Sequence, residues 1–176
     1  MRADARAPAA ERGLRRRLEA HLGSRDVARV IYGAIIGLAL VLAFEAHPPT
    51  ATQAAGGVAG TALAVGLAEI YSEVIGTEAR TRHAVSARQL RALWEDAAAV
   101  MLGAAFPAVF FVLAATNIIG LDLAFTLAKW SGLGLICGYG FLAARLAGAG
   151  HGRALAHAAA VGAVGGVLIA LKALLH

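Results

Sequence analysis

Five apolar segments divide the chain, each close to the roughly 20 residues that a helix needs to cross a hydrocarbon core. Backbone polar groups in lipid must be satisfied within the segment, so runs of this length fold as helices. Span one runs from Ala28 to Phe44 and is ended by Glu45, His47 and the Pro48-Pro49 pair, which cannot continue a helix. Span two begins near Thr52 and fades between Glu69 and Gly76. Span three covers Ala97 to Thr116, with Pro107 at its middle, where a kink is expected. Span four covers Trp130 to Leu146 and span five Leu155 to Leu175. With 59% apolar and 15% charged residues, disorder and a soluble monomer are excluded, and the lone Cys137 excludes a disulfide framework and reads as a buried, inert thiol.

Charge is segregated along the chain. The first 29 residues hold eight arginines with four acids and no aromatic side chain to stack on bases, so the pI of about 10.1 does not point to nucleic acid. Arg80, Arg82, Arg88 and Arg91 occupy the loop from Thr77 to Asp96, and Arg145 and Arg153 flank the turn between spans four and five. Lys129 and Lys172 alone fall on the opposite side, and lysine and arginine are retained in the cytoplasm. The expectation is an all-α integral membrane protein of five transmembrane helices, N-inside and C-outside, in a bacterial cytoplasmic membrane. Residues 1–29 form a basic cytoplasmic tail with an amphipathic N-terminal helix, and residues 30–176 the transmembrane domain. Leu14, Leu18 and Leu22 recur every four residues among arginines, so this helix either lies on anionic headgroups of the inner leaflet or is a solvated element that enforces topology. The start is no signal peptide, because the first apolar run opens only after Arg29 and is long enough to span.

Small residues four apart let helix backbones approach closely in lipid. Gly33 and Gly37, Gly56 and Gly60, Gly134 and Gly138, and Gly162 and Gly166 are such pairs, and with Pro107 they predict a tight bundle, completed by a second copy as a homodimer. Glu69 and Glu73 lie one turn apart on one face of span two. Either the pair holds a divalent cation or relays a proton, or span two ends near Ile70 and both acids meet Arg80 or another loop arginine at the interface. Glu45, His47 and Asp122 read as solvated caps at span ends, Asn117 as a hydrogen-bonding cap, and His157 as a helix-packing histidine. Zinc-ligand spacing, a nucleophile elbow, a phosphate loop and a dinucleotide fingerprint are all absent, so no enzyme is expected.

Three stretches carry a family resemblance: Gly33-Ala34-Ile35-Ile36-Gly37, Gly66-Leu67-Ala68-Glu69-Ile70-Tyr71 and Gly103-Ala104-Ala105-Phe106-Pro107. Their order over Val30 to the carboxyl end resembles the vacuolar iron transporter family. That resemblance implies five spans, an inside amino terminus, a dimer, and ferrous iron or manganese as substrate rather than a resident cofactor. Glu69, Glu73 and Tyr71 become the candidate transport residues, with Glu69 and Glu73 as the metal ligands. Ile36 stands where the family places an aspartate, Met101 reads as packing, and the arginine-bearing loop replaces the family's acidic cytoplasmic helices. Two functions follow: a small dimeric transporter for a divalent metal or a proton-coupled solute, and a non-transporting membrane scaffold or accessory subunit with the arginine-rich tail as its interaction surface. A third reading is a lipid-handling protein using the basic inner surface.

Overall fold

The computed structural model describes residues 26–175, so the basic tail with Leu14, Leu18 and Leu22 lies outside the described residues. Within them the chain is helical, with no strand, in the order α1 (Asp26–Ala46), α2 (Ala51–Thr81), α3 (Ala87–Ala105), α4 (Ala108–Ala115), α5 (Leu121–Leu146) and α6 (His151–Leu175). Helices α1, α2, α5 and α6 are each long and apolar enough to cross a membrane, and α3 with α4 makes a fifth span when the bent pair is taken as one. The 51° bend between α3 and α4 falls at Phe106-Pro107, where proline has no N–H for the preceding turn and its ring crowds the carbonyl four residues back.

Two boundaries differ from the sequence expectation, and both have local causes. The stretch from Thr77 to Asp96 is mostly helix: α2 runs to Thr81, only Arg82–Ser86 forms the turn, and α3 starts at Ala87. Capping boxes start both helices. Thr50 and Gln53 satisfy each other's backbone N–H groups before α2, and Ser86 and Gln89 do the same before α3. Span four likewise opens at Leu121 rather than Trp130, because Gly120 caps the helix and Asp122 in its first turn complements the positive end of the helix dipole. Asp122 and Lys129 therefore both sit on α5.

Helix α1 is central, with 44% of its span buried inside the chain against 22% or less for α2, α5 and α6. In lipid there is no hydrophobic force to press helices together, so close backbone packing does that work. A Cβ on Gly33 would overlap the Val100 carbonyl oxygen, one on Gly37 would come within 2.7 Å of the Ala104 oxygen, and one on Gly103 would overlap the Val30 oxygen. The two helices run parallel in a constant register, with Arg29 opposite Asp96, Gly33 opposite Val100 and Gly37 opposite Ala104. Helix α2 packs on α3 and α4 through Ala54, Val58, Ala62 and Gly66, the last against the Met101 side chain. On the other flank α5 lies against α1, and α6 mainly against α5, where Gly162 faces Cys137 and Gly165 faces Leu133. Phe111 and Phe125 close the α4–α5 contact edge to face, with ring centroids 4.9 Å apart.

The expected packing pairs divide accordingly. Gly33 and Gly37 are contact positions, whereas a Cβ on Gly56, Gly60, Gly134, Gly138 or Gly166 would meet nothing within 4 Å. Within the chain His157 makes no packing contact: α6 rests on its neighbours through Ala154, Ala158, Gly162 and Gly165, which leaves His157 off that stripe and exposed.

Candidate functional site

Ionisable side chains gather at the two ends of α1. At the Asp26 end, Arg29 reaches two other helices: its Nη1 lies 2.8 Å from Asp96 Oδ1 on α3, and its Nε lies 3.9 Å from Glu69 Oε1 on α2. The first contact is an ion pair without the alignment of a hydrogen bond. The Arg29 side chain is only 15% exposed, so two carboxylates share a single guanidinium in a shielded position, and the trio keeps one formal negative charge. Asp96 reaches it because it continues, one turn earlier, the α3 stripe that packs on Gly33 and Gly37. Glu73 stands one turn further along α2, half-exposed, with its Oε2 3.7 Å from Arg80 Nη2. Glu69 and Glu73 thus share a helix face but are held by different arginines. Tyr71, 69% exposed, points away from both and does not join them. Among the described residues, no three His, Cys, Asp or Glu side chains come together as a metal-ligating group.

At the other end of α1, Glu45 is not the solvated cap expected of it. Lys129 Nζ on α5 donates to Glu45 Oε1 at 2.8 Å, with both side chains mostly buried. Lys129 sits eight residues, about 12 Å, into α5, whereas Glu45 stands one residue before the end of α1. A shielded charged pair between two apolar helices is a functional candidate and also a staple between α1 and α5. Glu45→Gln is expected to lower stability by about 1–3 kcal/mol, because Lys129 then loses a carboxylate partner, and Glu45→Gln with Lys129→Met should recover most of that loss. Thermal melts of the three purified variants in detergent check this.

Exposed aromatic residues mark the Arg29 level: Tyr32, Tyr71 and Trp94 stand within three residues of Arg29, Glu69 and Asp96. Such side chains favour membrane–water interfaces. Arg29, Asp96 and Lys129 are the site residues that sequence reasoning missed. Lys129 had a readable signal in Gly120 and Asp122, which start the helix early enough to enclose it; Asp96 had none, since cross-helix register is not written in one sequence. Comparison of the chain with protein-family models, with curated proteins and with solved structures gives no match.

Proposed function

We propose that this chain is a non-transporting membrane scaffold or accessory subunit, with five spans, its amino end inside and a second copy completing it as a homodimer. The observation that carries the reading is the occupation of its candidate cation ligands by guanidinium groups: Arg29 lies between Glu69 and Asp96, and Arg80 lies at Glu73. A divalent cation arriving at either carboxylate meets a positive charge already in place and must displace it. The orientation rests on the fourteen arginines of the tail and of the turns and helix ends at α2–α3 and α5–α6, against two lysines on the other side. For the dimer, the outward stripe of α2, with Gly56, Gly60, Ala64 and Ala68 exposed at four-residue spacing, offers a close approach.

A transporter resembling the vacuolar iron transporters is the second reading, favoured by the shielded Glu45–Lys129 pair. The two are separated by ion flux into liposomes containing the purified protein, with ferrous iron, manganese, cobalt, zinc and protons tested beside a Glu69→Gln/Glu73→Gln variant. The expected result is flux equal to that of protein-free liposomes for both proteins. Metal uptake severalfold above that background, lost in the double variant while the protein stays folded, would overturn the scaffold reading.

A further inference from the structure

We infer that the α2–α3 turn is a docking knob for an acidic protein segment that also carries apolar side chains; the inference rests on the scaffold reading and gives that scaffold its contact surface. From Ala79 to Trp94 the chain holds Arg80, Arg82, Arg88, Arg91 and His83 and no acid. Helix α2 continues twelve residues past Glu69 before the turn, which carries the knob about 18 Å beyond the level of Arg29.

Among the described residues, no hydrogen bond or ion pair uses the side chain of Arg82 or Arg88. The turn is built from other groups: Glu78 accepts from the Val85 N–H at 3.1 Å, the Arg82 backbone N–H donates to the Glu78 carbonyl at 2.8 Å, and Ser86 and Gln89 cap α3. His83 Nδ1 lies 2.7 Å from the Thr81 carbonyl oxygen. Arg80 and Arg91 meet Glu73 and Glu95 in exposed pairs, which hold little energy and open readily to a competing anion. Arg82 and Arg88 have no carboxylate partner among the described residues. Arg82 also adopts a left-handed backbone, φ 55°, at a helix C-terminus where glycine or asparagine fits with less strain. A charge is therefore placed at the apex at some conformational cost, although the turn would form without it.

Leu90, 47% exposed between Arg88 and Arg91, adds an apolar contact inside the basic surface, a combination that suits protein interfaces. A nucleic acid fits less well, because from Arg80 to Arg91 there is no Phe, Tyr or Trp for bases to stack on, and the exposed Trp94 stands back near the level of Asp96. Lipid headgroups fit less well because Arg82 at the apex and Arg88, about 12 Å along α3 from Asp96, stand further from the Arg29 level than the roughly 8 Å over which charges act in physiological salt.

The test uses the full chain in phosphatidylcholine nanodiscs and a fluorescein-labelled peptide of mixed glutamate and leucine, with a glutamine-for-glutamate peptide as control. Wild type is expected to bind the acidic peptide in a salt-sensitive way and to ignore the control. Arg82→Gly/Arg88→Gln should weaken binding about tenfold or more. The Arg82→Gly change suits the left-handed backbone, so a melt of the double variant at or near the wild-type temperature shows that the loss is not unfolding. Equal binding by wild type and double variant overturns the proposal and assigns the affinity to the amino-terminal arginines. Tighter binding to phosphatidylglycerol vesicles or to polyuridine RNA than to the peptide, with the same two residues responsible, also overturns it. Metal flux in liposomes together with Arg82-dependent peptide binding would sink the scaffold reading alone; absent flux with Arg82-independent binding would sink the docking proposal alone.

Discussion

Gly33→Leu is expected to prevent the bundle from forming, whereas Gly134→Ala leaves it intact. At Gly33 the first carbon of any side chain overlaps the Val100 carbonyl oxygen, which belongs to the backbone of a packed helix and cannot rotate away. Even Gly33→Ala must push α1 from α3 and is expected to cost about 2–3 kcal/mol, with leucine costing more. The separation would also pull apart Arg29 and Asp96, which continue the same stripe. Gly134 has nothing within 4 Å of the position a Cβ would take, so alanine there gains helix propensity worth up to about 1 kcal/mol. Monodispersity in detergent and helical signal on heating, measured for the three variants side by side, check the contrast. A Gly33→Leu protein that melts like wild type would show that α1 and α3 do not meet at this face.

The second large effect is expected at Arg29. Arg29→Gln leaves Asp96 and Glu69 facing each other's charge with no cation between them, a loss of about 2–3 kcal/mol. That lies below the roughly 3–5 kcal/mol of a fully buried pair, because both carboxylates keep more than a quarter of their side-chain surface exposed. Adding Glu69→Gln and Asp96→Asn should restore most of the stability, since neutral amides need no counter-ion. Recovery in the triple variant identifies electrostatic pairing as the role of the cluster. Failure to recover would mean that the Arg29 side chain acts through its packing, or that Glu69 and Asp96 have partners of their own.

How much of this was legible in one sequence depended on whether the signal was local. The spans were readable because apolar length is a property of each segment alone, and the break at Pro107 because proline breaks a helix by its own covalent structure. The short turn at Arg82–Ser86 was equally local: Ser86-Ala87-Arg88-Gln89 is a capping box, and reading the arginines there as a loop set charge above hydrogen-bond pattern. The early start of α5 at Gly120 belongs to the same class, and recognising it would have placed Lys129 within the helix.

The candidate site was only half readable. Glu69 and Glu73 stand out in an apolar run, and their four-residue spacing puts them on one face in any α-helix. Which cation each meets depends on interhelical register. Gly33-x-x-x-Gly37 and Gly56-x-x-x-Gly60 are equivalent as text, yet the first is packed against the α3 backbone and the second is open. The sequence by itself determined the helices, their approximate ends and the concentration of arginine at one end, because hydropathy, prolines and caps act within a few residues of where they stand. Only the tertiary structure decided that Arg29 joins Asp96 and Glu69, that Lys129 joins Glu45, and which glycines carry contacts. Those pairings follow from how backbones of small residues slide past one another until they fit, and that depends on two helices at once.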